Sequence, residues 1–210
     1  MNRNRRQYSI RWMTGTAMMI ALIVVLASTP LGLIRLPFLS ATTLHIPVII
    51  ATLVLGLEAG VLTGLVFGVT SLITNLTGAS FFAPFFINPL VSVFPRMLFP
   101  VCVFWIAQAL KQLTKGFDQR RLIAYIGASA LGTALHTAMV MGMIYLLNRA
   151  EIAQMIQNGA GVPQAIAEKG VGMGIAALGL ANGIPEMIVA AVIAPVVTAA
   201  LEKALGKMKK

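Results

Sequence analysis

The sequence predicts an all-α integral membrane protein: a bundle of six transmembrane helices with both termini in the cytoplasm. Composition, the length of the apolar runs and the positions of the cations carry that expectation. Hydrophobic residues make up 58% of the chain and charged residues only 10%, with a mean hydropathy of +0.88. A soluble domain carries about a quarter charged residues, so this chain cannot stay in water. Uncharged stretches run Trp12–Ile34, Leu36–Leu57, Ala59–Pro95, Met97–Leu110, Leu122–Asn148 and Gly170–Pro185, the last continuing past Glu186 to Leu201. A spanning helix needs roughly 17 to 25 largely apolar residues. The run from Ala59 to Pro95 is too long for one helix and must include a turn and part of the next span.

The six helices are expected at 11–28, 43–57, 59–77, 89–114, 119–148 and 171–205. With no linker, low-complexity segment or internal repeat, residues 1–210 read as one domain. Arg3, Arg5, Arg6 and Arg11 followed by Trp12–Ala27 resemble the start of a secretory signal. The apolar stretch is long for one, and the rest of the chain spans the membrane anyway, so a retained first helix is the simpler account. The N-terminal arm, the fourth connection (Lys111, Lys115, Arg120, Arg121) and the tail (Lys203, Lys207, Lys209, Lys210) hold twelve cations on one side if six helices alternate. The other side holds only Arg35, Arg149 and Lys169, so the positive-inside rule places both termini in the cytoplasm. Adding or dropping one crossing would set the basic tail opposite the basic arm. The long connections, 28–42, 78–88 and 149–170, then lie outside, where long loops tend to carry binding function. The third, with Glu151, Gln154, Gln157, Pro163 and Glu168, is expected to hold a short amphipathic helix at the interface. The cytoplasmic turn Gly56-Leu57-Glu58-Ala59-Gly60 is minimal.

The net charge of +10 comes without a polar domain, so it is a topology signal and not a nucleic-acid footprint. Cys102 has no pairing partner and reads as a small core residue; the sequon Asn75-Leu76-Thr77 reads as chance. No phosphate-binding Gly-rich loop, no His-Glu-x-x-His or cysteine cluster, and no serine with a matched base is present. The chain is therefore expected to be no enzyme, with no metal and no cofactor, and any ATP-driven step belongs to another subunit.

Gly60, Gly64 and Gly68 open a groove along one face of the third helix where a neighbour can approach closely. Ala17 and Ala21 share that spacing in the first helix, for packing within the chain or for docking a partner. Gly170, Gly172, Gly174, Gly179, Gly183, Pro185 and Pro195 suit a sixth helix that is kinked beside a cavity or merely irregular. Two charges fall within spans, and each is a functional candidate because a buried charge is costly. Arg96, seven residues past Pro89, lies about 10 Å below the outer end. A guanidinium there could clamp a carboxylate or phosphate, or could pair with Glu186 or cap a carbonyl. The role of Glu186 is open. Asn182, one turn nearer the outside, is the better candidate for a hydrogen bond to a ligand. His45 opens the second helix, either to meet a ligand or to bond the helix end; His136 reads as a packing residue. Asn75 and Asn88 flank the second outer loop, where both could cap helices.

Ala17-x-x-x-Ala21, Thr43-Leu44-His45-Ile46-Pro47-Val48-Ile49-Ile50, Gly64-Leu65-Val66-Phe67-Gly68-Val69-Thr70-Ser71, Phe94-Pro95-Arg96 and Asn182-Gly183-Ile184-Pro185-Glu186 together resemble an S-component of the energy-coupling factor (ECF) transporters. The Thr43–Ile50 string and the Phe94-Pro95-Arg96 step are similar to the pantothenate-type branch in particular. Ala51 and Leu55-Gly56-Leu57-Glu58 depart from the glycine and Leu-Gly-Pro-Lys common in that branch. The resemblance implies a plasma-membrane subunit that captures a vitamin near the outer face, with Arg96, His45, Thr43, Asn75, Asn88 and Asn182 as substrate-binding residues. It further implies a transmembrane coupling subunit, docked on Ala17 and Ala21, and two ATPase subunits, with release inward by toppling of the whole subunit. Pantothenate, whose carboxylate would match Arg96, is the expected cargo. The alternatives are riboflavin, folate or a pyrimidine precursor, or a membrane scaffold with no ligand.

Overall fold

The structure, a computed structural model, describes residues 10–29, 32–35, 40–76, 82–115, 119–158 and 163–207. The basic residues Arg3, Arg5, Arg6, Lys209 and Lys210 lie outside the described residues, as do Thr77, residues 78–81 of the expected second outer loop and residues 159–162 of the expected third. The chain is nearly all helix: α1 (Ile10–Ala27), α2 (His45–Leu55), α3 (Leu57–Leu76), α4 (Pro89–Ser92), α5 (Phe94–Leu113), α6 (Arg120–Gln157) and α7 (Gln164–Lys207), with a 3-10 turn at Ala83–Ile87. Five helical stretches are long and apolar enough to cross a membrane, with α4 and α5 acting as one. α2, at 11 residues, spans only about 17 Å, short of a ~30 Å hydrocarbon core.

Three expected boundaries differ. α2 starts two residues late because the chain before it forms an antiparallel hairpin, β1 (Leu33–Arg35) against β2 (Ser40–Thr42), with Leu33 opposite Thr42. It stops at Gly56, whose φ of +100° only glycine adopts freely, so one residue replaces the five-residue turn and α3 begins at Leu57. A short helix does fall within the expected third loop, at Gln164–Lys169, but the loop does not begin at Arg149. Instead α6 runs on to Gln157, reaching about 57 Å, and Gln164–Lys169 forms helix that bends into the last span at Gly170 (φ +78°). Burial explains the extension, because Ile152 and Ile166 are fully buried with Phe82, Phe85, Val91 and Ile144 in an apolar cap over that end.

The main core joins Ile23 of α1 and Ile49 of α2 to Phe67, Phe99, Val103, Ala128 and Ala190 of the other helices. The glycine groove of α3 packs within the chain. A Cβ on Gly64 would stand 2.3 Å from the backbone O of Arg96, one on Gly68 2.8 Å from Val93 Cα, and one on Gly60 2.3 Å from Thr52 Oγ1. α3 therefore lies against α5 at backbone contact, which van der Waals packing in a membrane rewards. α1 is the opposite case, with 11% of its span buried and with Ala17 and Ala21 both exposed.

A candidate ligand site around Arg96

The position of Arg96 follows from the proline before it. Pro95 has no N–H, so the carbonyl of Val91, four residues back, loses its helical donor. Arg96 folds over that gap, and its Nη1 donates to Val91 O at 2.6 Å. One edge of the guanidinium is thus held by α4, while its faces lie against two rings, Phe67 at 5.5 Å and Phe86 at 5.0 Å. Arg96 is only 4% exposed, its Nε has no partner, and among the described residues no carboxylate comes within 4.0 Å of it. Glu186 is near enough for its charge to be felt, yet it does not form that ion pair.

Glu186 is engaged elsewhere. Its Oε1 accepts from the backbone N–H of Thr42 at 2.5 Å and from Asn182 Nδ2 at 3.2 Å, one helical turn away on α7. The first bond ties the hairpin to α7 across the mouth of the bundle. Asn182 is left with a buried Oδ1 that nothing satisfies.

Two histidines complete the group. The rings of His45 on α2 and His136 on α6 stack at 6.3 Å between centroids, and His136 also meets Phe99 at 5.1 Å and Phe67 at 5.8 Å. Both imidazoles are buried, and none of their four ring nitrogens has a hydrogen bond of good geometry. A buried polar atom without a partner costs about 1–3 kcal/mol. Arg96 Nε, the four imidazole nitrogens and Asn182 Oδ1 belong to side chains of α2, α5, α6 and α7 that the Phe67 ring, the imidazole stack and Glu186 connect, which fits a place where a polar guest, or water in its absence, supplies the missing bonds. The group lies about 24 Å from the end of the bundle that carries Arg120.

The expected site residues divide. Arg96, His45 and Asn182 gather in this cluster. Thr43 stands beside it, its N–H donating to Gly32 O at 3.2 Å and its carbonyl accepting from Ile46 N at 3.1 Å. Asn75 and Asn88 are not drawn in by any hydrogen bond: Asn75 Nδ2 donates to Ser71 O one turn back (2.7 Å), and Asn88 Oδ1 caps α4 by accepting from Leu90 N (3.0 Å). Sequence reasoning passed over His136, and it had no role for Glu186 or for Phe67, Phe86 and Phe99. Phe99 shares a helical face with Arg96 by its spacing of three residues, but the packing of α3, the 3-10 turn, α6 and α7 around α5 decides the placement of the others, and a single sequence does not carry it. A separate apolar groove of about 550 Å³ between α6 and α7, with Gly179, Gly183 and Tyr145 in its walls, contains none of these residues.

Long apolar helices around a buried polar cluster define a multi-pass membrane protein. Residues 11–198 match the family described as "ECF transporter, substrate-specific component", and the chain belongs to that family. Its members are transport subunits, not enzymes. No curated protein matches the chain.

Proposed function

We propose that this chain captures a small carboxylate-bearing vitamin, pantothenate foremost, at Arg96 and hands it to an ATP-driven ECF importer in the plasma membrane. The observation that supports this most is a buried guanidinium held at one edge by a carbonyl, with no carboxylate in contact among the described residues and Nε without a partner. A charge kept at that cost is balanced when an anion arrives, and a carboxylate suits the fork geometry of guanidinium. Asn182 and the two imidazoles then supply bonds to the amide and hydroxyls of the cargo. Thr43, Asn75 and Asn88 belong to the mouth of the site in this reading.

Six crossings with both termini inside, and the chain as one domain, complete the proposal, with α2 as the short sixth span. The exposed Ala17 and Ala21 on a sparsely buried α1 suit docking by a coupling subunit, with two ATPases beneath it. A flat heteroaromatic vitamin such as riboflavin, folate or a pyrimidine precursor is the second reading. The rings of Phe67, Phe86, Phe99, His45 and His136 favour it, since they could stack on such a guest.

Thermal unfolding of the purified protein against a vitamin panel tests the proposal. A ligand at 100 times its Kd stabilises the folded state by about 2.7 kcal/mol, so pantothenate should raise the midpoint by several degrees. A shift with riboflavin alone would favour the second reading, and no shift with any vitamin would oppose both.

A further inference from the structure

Away from the candidate site, at the end of the bundle where α6 begins and α7 finishes, lies a second pocket of about 580 Å³, within the ~300–1,000 Å³ typical of small-ligand sites. Three cations line it: Arg120 and Arg121 at the start of α6, and Lys203 in the last turns of α7. Among the described residues that line it the one carboxylate, Glu202, is already engaged, because Oε1 accepts from Tyr125 OH at 2.6 Å. Oε2 lies 3.9 Å from Arg121 Nη1, a long contact with Arg121 largely exposed. Tyr125 itself is buried and carries Lys111 Nζ of α5 over its ring at 4.8 Å, which brings a fourth cation to the same junction of three helices. Positive charge in a concave site focuses the field on an incoming anion.

The rest of the lining decides which anion. Leu122 and Ala199 form an apolar wall beside the cations. Directly beyond it Ile126 and Val196 are exposed, and on helices that cross a bilayer such side chains face lipid tails. We propose that this pocket binds the phosphate of an anionic phospholipid, with Arg120, Arg121 and Lys203 around the headgroup and the acyl chains descending over Leu122, Ile126 and Val196. Tyr125 positions the site by fixing the Glu202 carboxylate through Oε1. Basic pockets between membrane helices recognise anionic headgroups in this way.

Native mass spectrometry of the full chain in detergent, titrated with phosphatidylglycerol and with phosphatidylcholine, tests the site. Phosphatidylglycerol should be retained preferentially, and the preference should fall about fivefold for each cation removed in R120Q and in the triple variant R120Q/R121Q/K203Q. The variant R149Q/K169Q, at the opposite end of α6 and α7, should keep it. Helical circular dichroism checks that the variants fold, and 0.5 M salt should weaken the preference of the unaltered protein. Equal retention of both lipids, or a preference untouched in the triple variant, would overturn the site and leave these cations to an acidic protein surface. Stabilisation by inorganic phosphate as large as that by phosphatidylglycerol would overturn the lipid assignment in favour of free phosphate.

Discussion

The two ends of the bundle treat their polar groups in opposite ways. At the Tyr125 end the tyrosine hydroxyl has its carboxylate, and Arg120, Arg121 and Lys203 beside it are exposed, with Lys111 half-buried over the ring. At the Arg96 end a cation, two imidazoles and an amide are buried with bonding capacity unused. The difference teaches where to look for function in a membrane bundle: isolated hydroxyls such as Thr16 Oγ1 and Thr198 Oγ1 are left unsatisfied elsewhere, but a concentration of ionisable and amide groups with bonding capacity unused marks the place for a guest. That contrast can be broken or sharpened by substitution.

The largest effect is expected from Arg96→Ala. Removing one partner of a buried charge pair costs about 2–5 kcal/mol, so affinity for an anionic cargo should fall at least ~30-fold by titration calorimetry, while the apo protein still folds. Gly64→Ala comes next. Its Cβ would stand 2.3 Å from the backbone O of Arg96, which must then move with α5. Overpacking of this kind costs about 1–3 kcal/mol, so both thermal midpoint and ligand affinity should drop. Gly142→Ala, with open space around the new atom, should change neither.

His136→Phe separates stability from binding. The ring stays among Phe67, Phe99 and His45, but two buried unpartnered nitrogens disappear. The apo midpoint should hold or rise, while ligand affinity falls by the ~0.5–1.5 kcal/mol of one hydrogen bond. Tyr125→Phe is the smallest and the mirror image. It removes the donor to Glu202 and should cost about 0.5–1.5 kcal/mol of stability in thermal unfolding, with ligand affinity unchanged.

Much of this architecture was legible beforehand because bilayer physics writes it into composition. The long apolar runs became the long helices, Gly64 and Gly68 became a backbone contact with Gly60 packed on Thr52, and Arg96 emerged buried in a span. Carbonyl capping was one of the readings open for Arg96, and the structure shows which carbonyl it meets, that of Val91 left free by Pro95. The hairpin before α2 and the extension of α6 were not legible, since both depend on what packs over them, Glu186 on Thr42 and the apolar cap on Ile152. The facing of His136 and Arg96 was hidden for a related reason. Helical periodicity fixes which residues of one helix share a face, but not which face a neighbour meets.

The central claim is that a negative group on the cargo meets Arg96. A four-way titration measures it directly: pantothenate and pantothenyl alcohol, which carries a hydroxymethyl group in place of the carboxylate, against the unaltered protein and Arg96→Gln. The unaltered protein should prefer the acid by roughly thirtyfold, a charge-assisted pair at about 2 kcal/mol, and Arg96→Gln should bind both alike. An acid preference of the same size in both proteins would contradict the account.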